Sequence, residues 1–176
     1  LKDAIIEKFR RDNQLEFQRS NIVVSCGAKH TVYNLMQAII DEGDEVIVAA
    51  PYWVSYTDMA ILAGGCPVVI DTTIDAGFKM TPEQVAAVIT PNSRLLVLNS
   101  PSNPTGGCYT GAELRGLADV IKQHQQLLVC ADDTYEHISW GEEPFCSIAT
   151  ACPDIAEQII VVNGISKVYS TTGWRI

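Results

Sequence analysis

Ser166 and Lys167 stand just after the last apolar run of this 176-residue sequence, and Arg175 follows eight positions beyond the lysine. Lysine is the side chain that condenses with an aldehyde to form a Schiff base, and a hydrophobic or cationic setting keeps its amine partly neutral for the purpose. Arginine, always charged, grips a phosphate bidentately. Together Lys167 and Arg175 have the chemistry to hold the two ends of a phosphorylated aldehyde. A solvated lysine and a loop arginine would look the same in isolation, so the reading depends on what other segments bring to the same place.

Those segments are punctuated alike. An apolar run ends, and unusual polar or small residues follow at once: Ser25, Gly27 and Ala28; Tyr52 and Trp53; Asn99 to Asn103; Asp132 to Tyr135; and Ser166-Lys167. The turn Cys26-Gly27-Ala28-Lys29 opens a helical pattern (Val32, Leu35, Met36, Ile39, Ile40). Backbone N–H groups at such a helix start lack intrahelical partners and form a ready anion site, although Gly27 would equally serve only to make the turn.

The elements that must position these residues follow from periodicity. Strands are expected at residues 21–25, 45–50, 68–71, 94–99, 127–130 and 159–162. Helices are expected over 2–13, through Val32 to Ile40, over 54–63, from Thr81, from Thr110 to about His124, and around 147–158. Thr81-Pro82-Glu83-Gln84 and Thr110 with Glu113 read as capping boxes, the first with proline at the first helical position. Strands alternating with crossovers predict an α/β domain with a mainly parallel sheet covered by helices on both faces. In open parallel sheets ligands bind beyond the carboxyl ends of the strands, where the unusual polar residues fall.

Bulk properties bound the function. The chain is long enough for one sizeable core, 47% of it is hydrophobic, and no linker or repeat divides it, so residues 1–176 read as a single domain. Twenty-one acids against twelve basic residues give a net charge of −9, which argues against nucleic-acid binding through a basic surface. No apolar run approaches the roughly 20 residues that span a bilayer, and no membrane partner is expected. Six cysteines without a Cys-x-x-Cys pair read as free thiols in a reducing cytoplasm, not as a disulfide framework or a metal site.

Four segments, GAKHTVYNLMQAIIDEGDEVIVAAPYWVSY, NSPSNPTG, ADDTYEH and NGISKVYSTTGWRI, resemble in order and spacing the fold-type-I pyridoxal-5′-phosphate (PLP) aminotransferases of class I/II, above all their bacterial aspartate aminotransferase branch. The resemblance covers nearly the whole chain. It implies a PLP-dependent transaminase that moves an amino group between an amino acid, aspartate foremost, and a 2-oxo acid. It also implies a homodimer and a cytoplasmic role in amino-acid metabolism.

Position by position, the resemblance makes Lys167 the lysine that binds the cofactor's aldehyde and carries the proton. Asp132 becomes the carboxylate that pairs with the pyridine nitrogen, with the adjacent Asp133 the weaker candidate. Tyr135, the third catalytic residue, and Asn103 become donors to the phenolic oxygen. Trp53 becomes the aromatic that stacks on the ring, and Asn103 and Trp53 also face substrate. Gly27, Ala28 and Lys29 become the phosphate turn, working through backbone N–H groups, with Arg175 as the phosphate arginine. Ser166 is a further phosphate ligand, although many relatives carry their phosphate serine where this chain has Gly164. Read without the resemblance, Asn103 before Pro104 is a turn residue, and Tyr135 and Trp53 are core aromatics.

The resemblance further implies that the chain is a partial PLP-binding large domain, truncated at both ends. A tyrosine-bearing segment would precede Leu1, and an antiparallel strand and a small C-terminal domain with the arginine for the substrate carboxylate would follow Ile176. The isolated fragment would then be inactive. Two alternatives remain open: a PLP-dependent β-lyase or related enzyme using the same residues, and a non-catalytic PLP-sensing regulatory domain.

Overall fold

A computed structural model describes residues 1–141 and 143–176. Five strands, β1 (Glu45–Ala50), β2 (Cys66–Asp71), β3 (Ser93–Asn99), β4 (Leu128–Asp132) and β5 (Ile159–Val162), form one sheet in the order β2-β1-β3-β4-β5. Every pairing is parallel. The order reverses between β1 and β3, and the crevice beyond the strand ends near such a reversal is where open α/β sheets bind ligands.

The strands read as unbroken apolar runs because both faces are covered. On β3, Leu95 and Val97 point to one face, with Val46 and Val48 of β1, and pack against α2 (Ala28–Ile39) and α3 (Ser55–Leu62) through Val32, Met36, Met59 and Ala60. Leu96 and Leu98 point to the other face, where Val85 of α4 (Pro82–Val88), Leu114, Leu117 and Ile121 of α5 (Gly111–Ile121), and Ile148 of α6 (Ile148–Ala151) meet them. Helices therefore flank the sheet on both sides, as the alternation of strands and crossovers predicts.

Both predicted capping boxes form. Thr81 Oγ1 accepts from the Gln84 N–H at 3.3 Å and Gln84 Oε1 accepts from the Thr81 N–H at 3.0 Å. Thr110 and Glu113 repeat the exchange at 3.3 and 2.8 Å. Each box satisfies two donors that the helix start would otherwise orphan.

Three expectations need correction. Residues 21–25 are not a strand: Asn21 closes a 3₁₀ turn, Arg19–Asn21, by accepting from the Gln18 N–H. No strand of the sheet pairs with the residues after it, so Ile22 alone is buried and Val23 and Val24 face solvent. Residues 2–13 are not one α-helix either. α1 (Lys2–Lys8) passes into a single π turn, Phe9–Asn13, which Gln14 ends in the left-handed conformation. The third is residues 147–158. Pro153, which has no N–H to donate and restricts the residue before it, splits them into α6 and a 3₁₀ stretch, Pro153–Gln158.

Candidate functional site

The carboxyl ends of the strands open into a cleft of about 420 Å³, within the range of small-molecule sites. It gathers residues far apart in sequence. Ala28 and Lys29 come from the start of α2, Trp53 from the β1–α3 turn, Asn103 from the loop after β3, Asp132 and Tyr135 from the end of β4, and Ser166, Lys167 and Arg175 from the segment after β5. Gly27 stands at the cleft's edge as the N-cap of α2. The ten candidate cofactor-binding residues are thus brought to one place, with Gly27 at its edge.

The acid at the centre is fixed from two sides. The parallel register sets Asn99 level with Asp132, and Asp132 level with Val162. Asp132 is buried, and its Oδ1 accepts from the Thr134 hydroxyl at 2.6 Å and the Thr134 N–H at 3.2 Å. Its Oδ2 accepts from the Tyr56 hydroxyl at 2.5 Å. Burial, and then the charge of Asp132, hold the Tyr56 phenol well above its usual range, so that it stays a donor. Asn99 Nδ2 donates to the Asp132 carbonyl at 2.9 Å while its Oδ1 accepts from the Asn103 N–H at 2.7 Å, which ties the loop after β3 to the end of β4. Tyr135 is raised by partial burial and by Asp132, against a pull downward from the Asn103 side chain.

Asp133 behaves differently. It is buried on the side of the strand away from the cleft, and its Oδ2 has no partner among the described residues. Burial pushes its carboxyl well above the aspartate range. Asp132 lines the cleft and Asp133 does not.

At the opposite wall the chain offers donors. Gly27, at φ +84°, turns the backbone into α2, and its carbonyl accepts from the His30 and Thr31 N–H groups. The Ala28 and Lys29 N–H groups make no bond among the described residues and carry the positive end of the helix dipole. Arg175 packs directly on Gly27, where any Cβ would collide with its guanidinium, and donates to the Cys26 carbonyl at 2.9 Å and the Thr172 carbonyl at 3.3 Å. Its other N–H donors make no bond among the described residues. Ser166 Oγ is buried at the cleft without a hydrogen-bond partner there. The side chain of Lys29 reaches the same cleft. Its ammonium lies in the cleft over the Trp53 ring, 5.0 Å from the centroid.

These features fit a planar aromatic aldehyde bearing a phosphate. Two free backbone donors, an arginine against a glycine and an unpartnered hydroxyl suit the phosphate. A lysine amine suits the aldehyde, and an indole suits the ring face. No cluster of three or more metal-ligating side chains occurs among the described residues. No helix among them is long and apolar enough to cross a membrane.

Sequence reasoning missed Tyr56 and Thr134. Thr134 sits inside the segment 131–136 and was overlooked between Asp132 and Tyr135. Tyr56 carries no local signal, because in the pattern of α3 it reads as one more buried aromatic.

A family model described as aminotransferase class I and II matches residues 1–176. The chain is 50% identical over its full length to an aspartate/prephenate aminotransferase of Nitrosomonas europaea, of which it covers 44%. Among solved structures it resembles the aspartate aminotransferase of Rhizobium meliloti, with TM-score 0.97 and 43% identity over 99% of this chain and 44% of that one. It likewise resembles the aspartate aminotransferase of Thermus thermophilus with maleate, with TM-score 0.92 and 42% identity over 99% of this chain and 44% of that one. The chain thus spans under half the length of the relatives it matches.

Proposed function

Because the chain belongs to the class I and II aminotransferases, we propose that the protein is a PLP-dependent transaminase that moves the amino group of aspartate to a 2-oxo acid. The observation that carries this reading is the meeting of Lys167, Asp132 and the open start of α2 in one cleft. Aspartate is the substrate favoured because relatives at this level of identity are named for it and one was solved with the dicarboxylate maleate.

When bound, the cofactor supplies an aldehyde that condenses with amines and a ring that takes up electrons released at the substrate Cα. Lys167 would hold the aldehyde through Nζ and would move the proton at Cα. Asp132 keeps the proton on the ring nitrogen, because a nearby anion favours the charged form. Tyr56 and Thr134 hold that carboxylate in place at 2.5 and 2.6 Å. Tyr135 and Asn103 donate to the phenolic oxygen, and Trp53 covers the ring and limits access of water. The Ala28 and Lys29 N–H groups, Ser166 Oγ and Arg175 hold the phosphate, which Gly27 lets approach. Asn103 and Trp53 also face the substrate.

In the full-length protein residues 1–176 would supply the cofactor's seat of a homodimeric enzyme. Six free thiols suit a reducing cytoplasm.

The test uses the full-length protein. Bound PLP should give a visible absorbance band that survives dialysis, borohydride should fix the label on Lys167, and aspartate with 2-oxoglutarate should yield 2-oxo acid without ammonia. A label on another residue would overturn the site. Ammonia release would make the enzyme a lyase, and a tight cofactor without turnover would make it a sensor.

A further inference from the structure

Glu136 is a second buried acid on the turn that carries Asp132, Thr134 and Tyr135, and it faces away from the cleft. Its side chain is 2% exposed and pairs through Oε1 with Lys8 Nζ of α1. Its Oε2 accepts from Asn13 Nδ2 at 2.8 Å, and Asn13 Oδ1 in turn accepts from Lys8 Nζ at 2.8 Å. Lys8, Asn13 and Glu136 therefore close a ring in which each contacts the other two. His137 Nε2 lies 3.3 Å from Glu136 Oε1 and 3.7 Å from Asp12.

The π turn makes this ring possible. Its wider coil and the left-handed Gln14 leave Asn13 buried at the end of the N-terminal helix. There the Asn13 carbonyl also accepts from Thr150 Oγ1 of α6 at 2.8 Å. Burying a carboxylate costs several kcal/mol unless partners compensate, and a merely stabilising contact could be met as well by apolar packing. What distinguishes Glu136 is its place on the turn. The Glu136 N–H donates to the Asp133 carbonyl at 3.0 Å and the Ile138 N–H to the Tyr135 carbonyl at 2.7 Å. The Thr134 N–H and hydroxyl are bound to Asp132. A turn so bonded moves as a unit, so an anchor at Glu136 fixes Tyr135 and Asp132 at its other end.

We propose that Glu136, clamped by Lys8 and Asn13, is a positioning residue that sets Tyr135 and Asp132 in the cleft and so makes the N-terminal helix part of the active site's support. What it positions them for rests on the reading given under Proposed function, but the clamp itself does not.

Two measurements on the full-length protein separate these. In the cofactor-free protein, amide hydrogen exchange is followed in Glu136→Gln, which keeps the shape and removes the charge, and in Lys8→Met, which removes the partner from a different element. Both should speed exchange over residues 132–138 by about fivefold or more while the amides of β1 and β3 stay as in the wild type. In the PLP-loaded protein, the pH midpoint of the visible band should rise in both variants by about half a unit or more, because loss of the Tyr135 hydrogen bond leaves the cofactor's oxygen more basic. The shared direction is the discriminating readout. The two substitutions remove opposite charges, so a through-space effect would move the midpoint in opposite senses. Wild-type exchange over 132–138 in either folded variant, or midpoints moving oppositely, overturns the proposal. Absence of any visible band in the wild type bears on the proposed function instead and leaves the exchange result to decide the clamp.

Discussion

The Tyr56 hydroxyl donates to Asp132 Oδ2 across 2.5 Å, joining α3 to the end of β4 in the wall of the cleft. Tyr56 is buried, and its ring meets Trp53 edge-on with centroids 5.2 Å apart. One side chain thus orients the central carboxylate and supports the indole that forms the cleft wall. Tyr56→Phe keeps the ring and deletes the donor. A hydrogen bond to a charged group contributes about 1.5–3 kcal/mol, so kcat/KM of the full-length enzyme should fall by about ten- to a hundredfold. Steady-state kinetics check this, and an unchanged value would show that Thr134 alone suffices to hold Asp132.

Asp132→Asn tests the carboxylate itself. The amide preserves size but removes the anion that keeps the ring nitrogen protonated, so kcat should drop by about a hundred- to a thousandfold, the scale for losing an electrostatic partner at a reacting centre. Asp133→Asn should leave kcat within about threefold of the wild type, because Asp133 lies outside the cleft. Should the two variants exchange these phenotypes, the assignment of the pair is reversed.

Much of this site could be read from the sequence because its parts recur at strand ends. The runs before Asn99, Asp132 and Asn163 are apolar enough to mark buried strands, and the residues just beyond them had to reach the sheet's carboxyl edge. The capping boxes at Thr81 and Thr110 were equally legible, since their bonds lie within four residues. Residues 21–25 misled because an apolar run predicts a strand only if a neighbour pairs with it, and pairing is a property of the whole sheet. Tyr56 and Glu136 were hidden for a related reason. Their partners, Asp132 for the first and Lys8 with Asn13 for the second, come from distant segments, and nothing local distinguishes Tyr56 from core or Glu136 from a surface acid. The π turn that buries Asn13 is likewise set by tertiary contacts, and Phe9 to Asn13 reads locally as the continuation of a helix.

Gly27→Ala should damage the phosphate wall by two routes. At φ +84° a Cβ is strained, at a cost of about 1–3 kcal/mol for such backbone, and the added methyl would displace the Arg175 guanidinium from its place on the glycine. PLP affinity of the full-length protein, measured by titration of the visible band, should weaken by about tenfold or more, with a lower Tm. Wild-type affinity in a folded variant would mean that Arg175 does not need its close approach.

The last prediction concerns pH and stability. Burial raises the Asp133 carboxyl well above its ordinary value of 3.8, with Ser147 pulling it back and the charges of Glu136 and Asp132 pushing it further. Below the ordinary value, both the folded and the unfolded chain hold this proton, and the group has no pH dependence to contribute. As pH rises past that value the unfolded chain releases its proton while the folded chain retains it. The folded state then binds more protons, and stability falls with pH until the raised folded value is passed, where the loss levels off. Asp133→Asn removes this titration and keeps a neutral group of the same shape. The Tm difference between variant and wild type should therefore grow in the variant's favour as pH rises above about 4, until the raised folded value is passed. Calorimetric scans of both proteins across that range measure it, and parallel Tm profiles would show that Asp133 titrates in the fold much as it does in the unfolded chain.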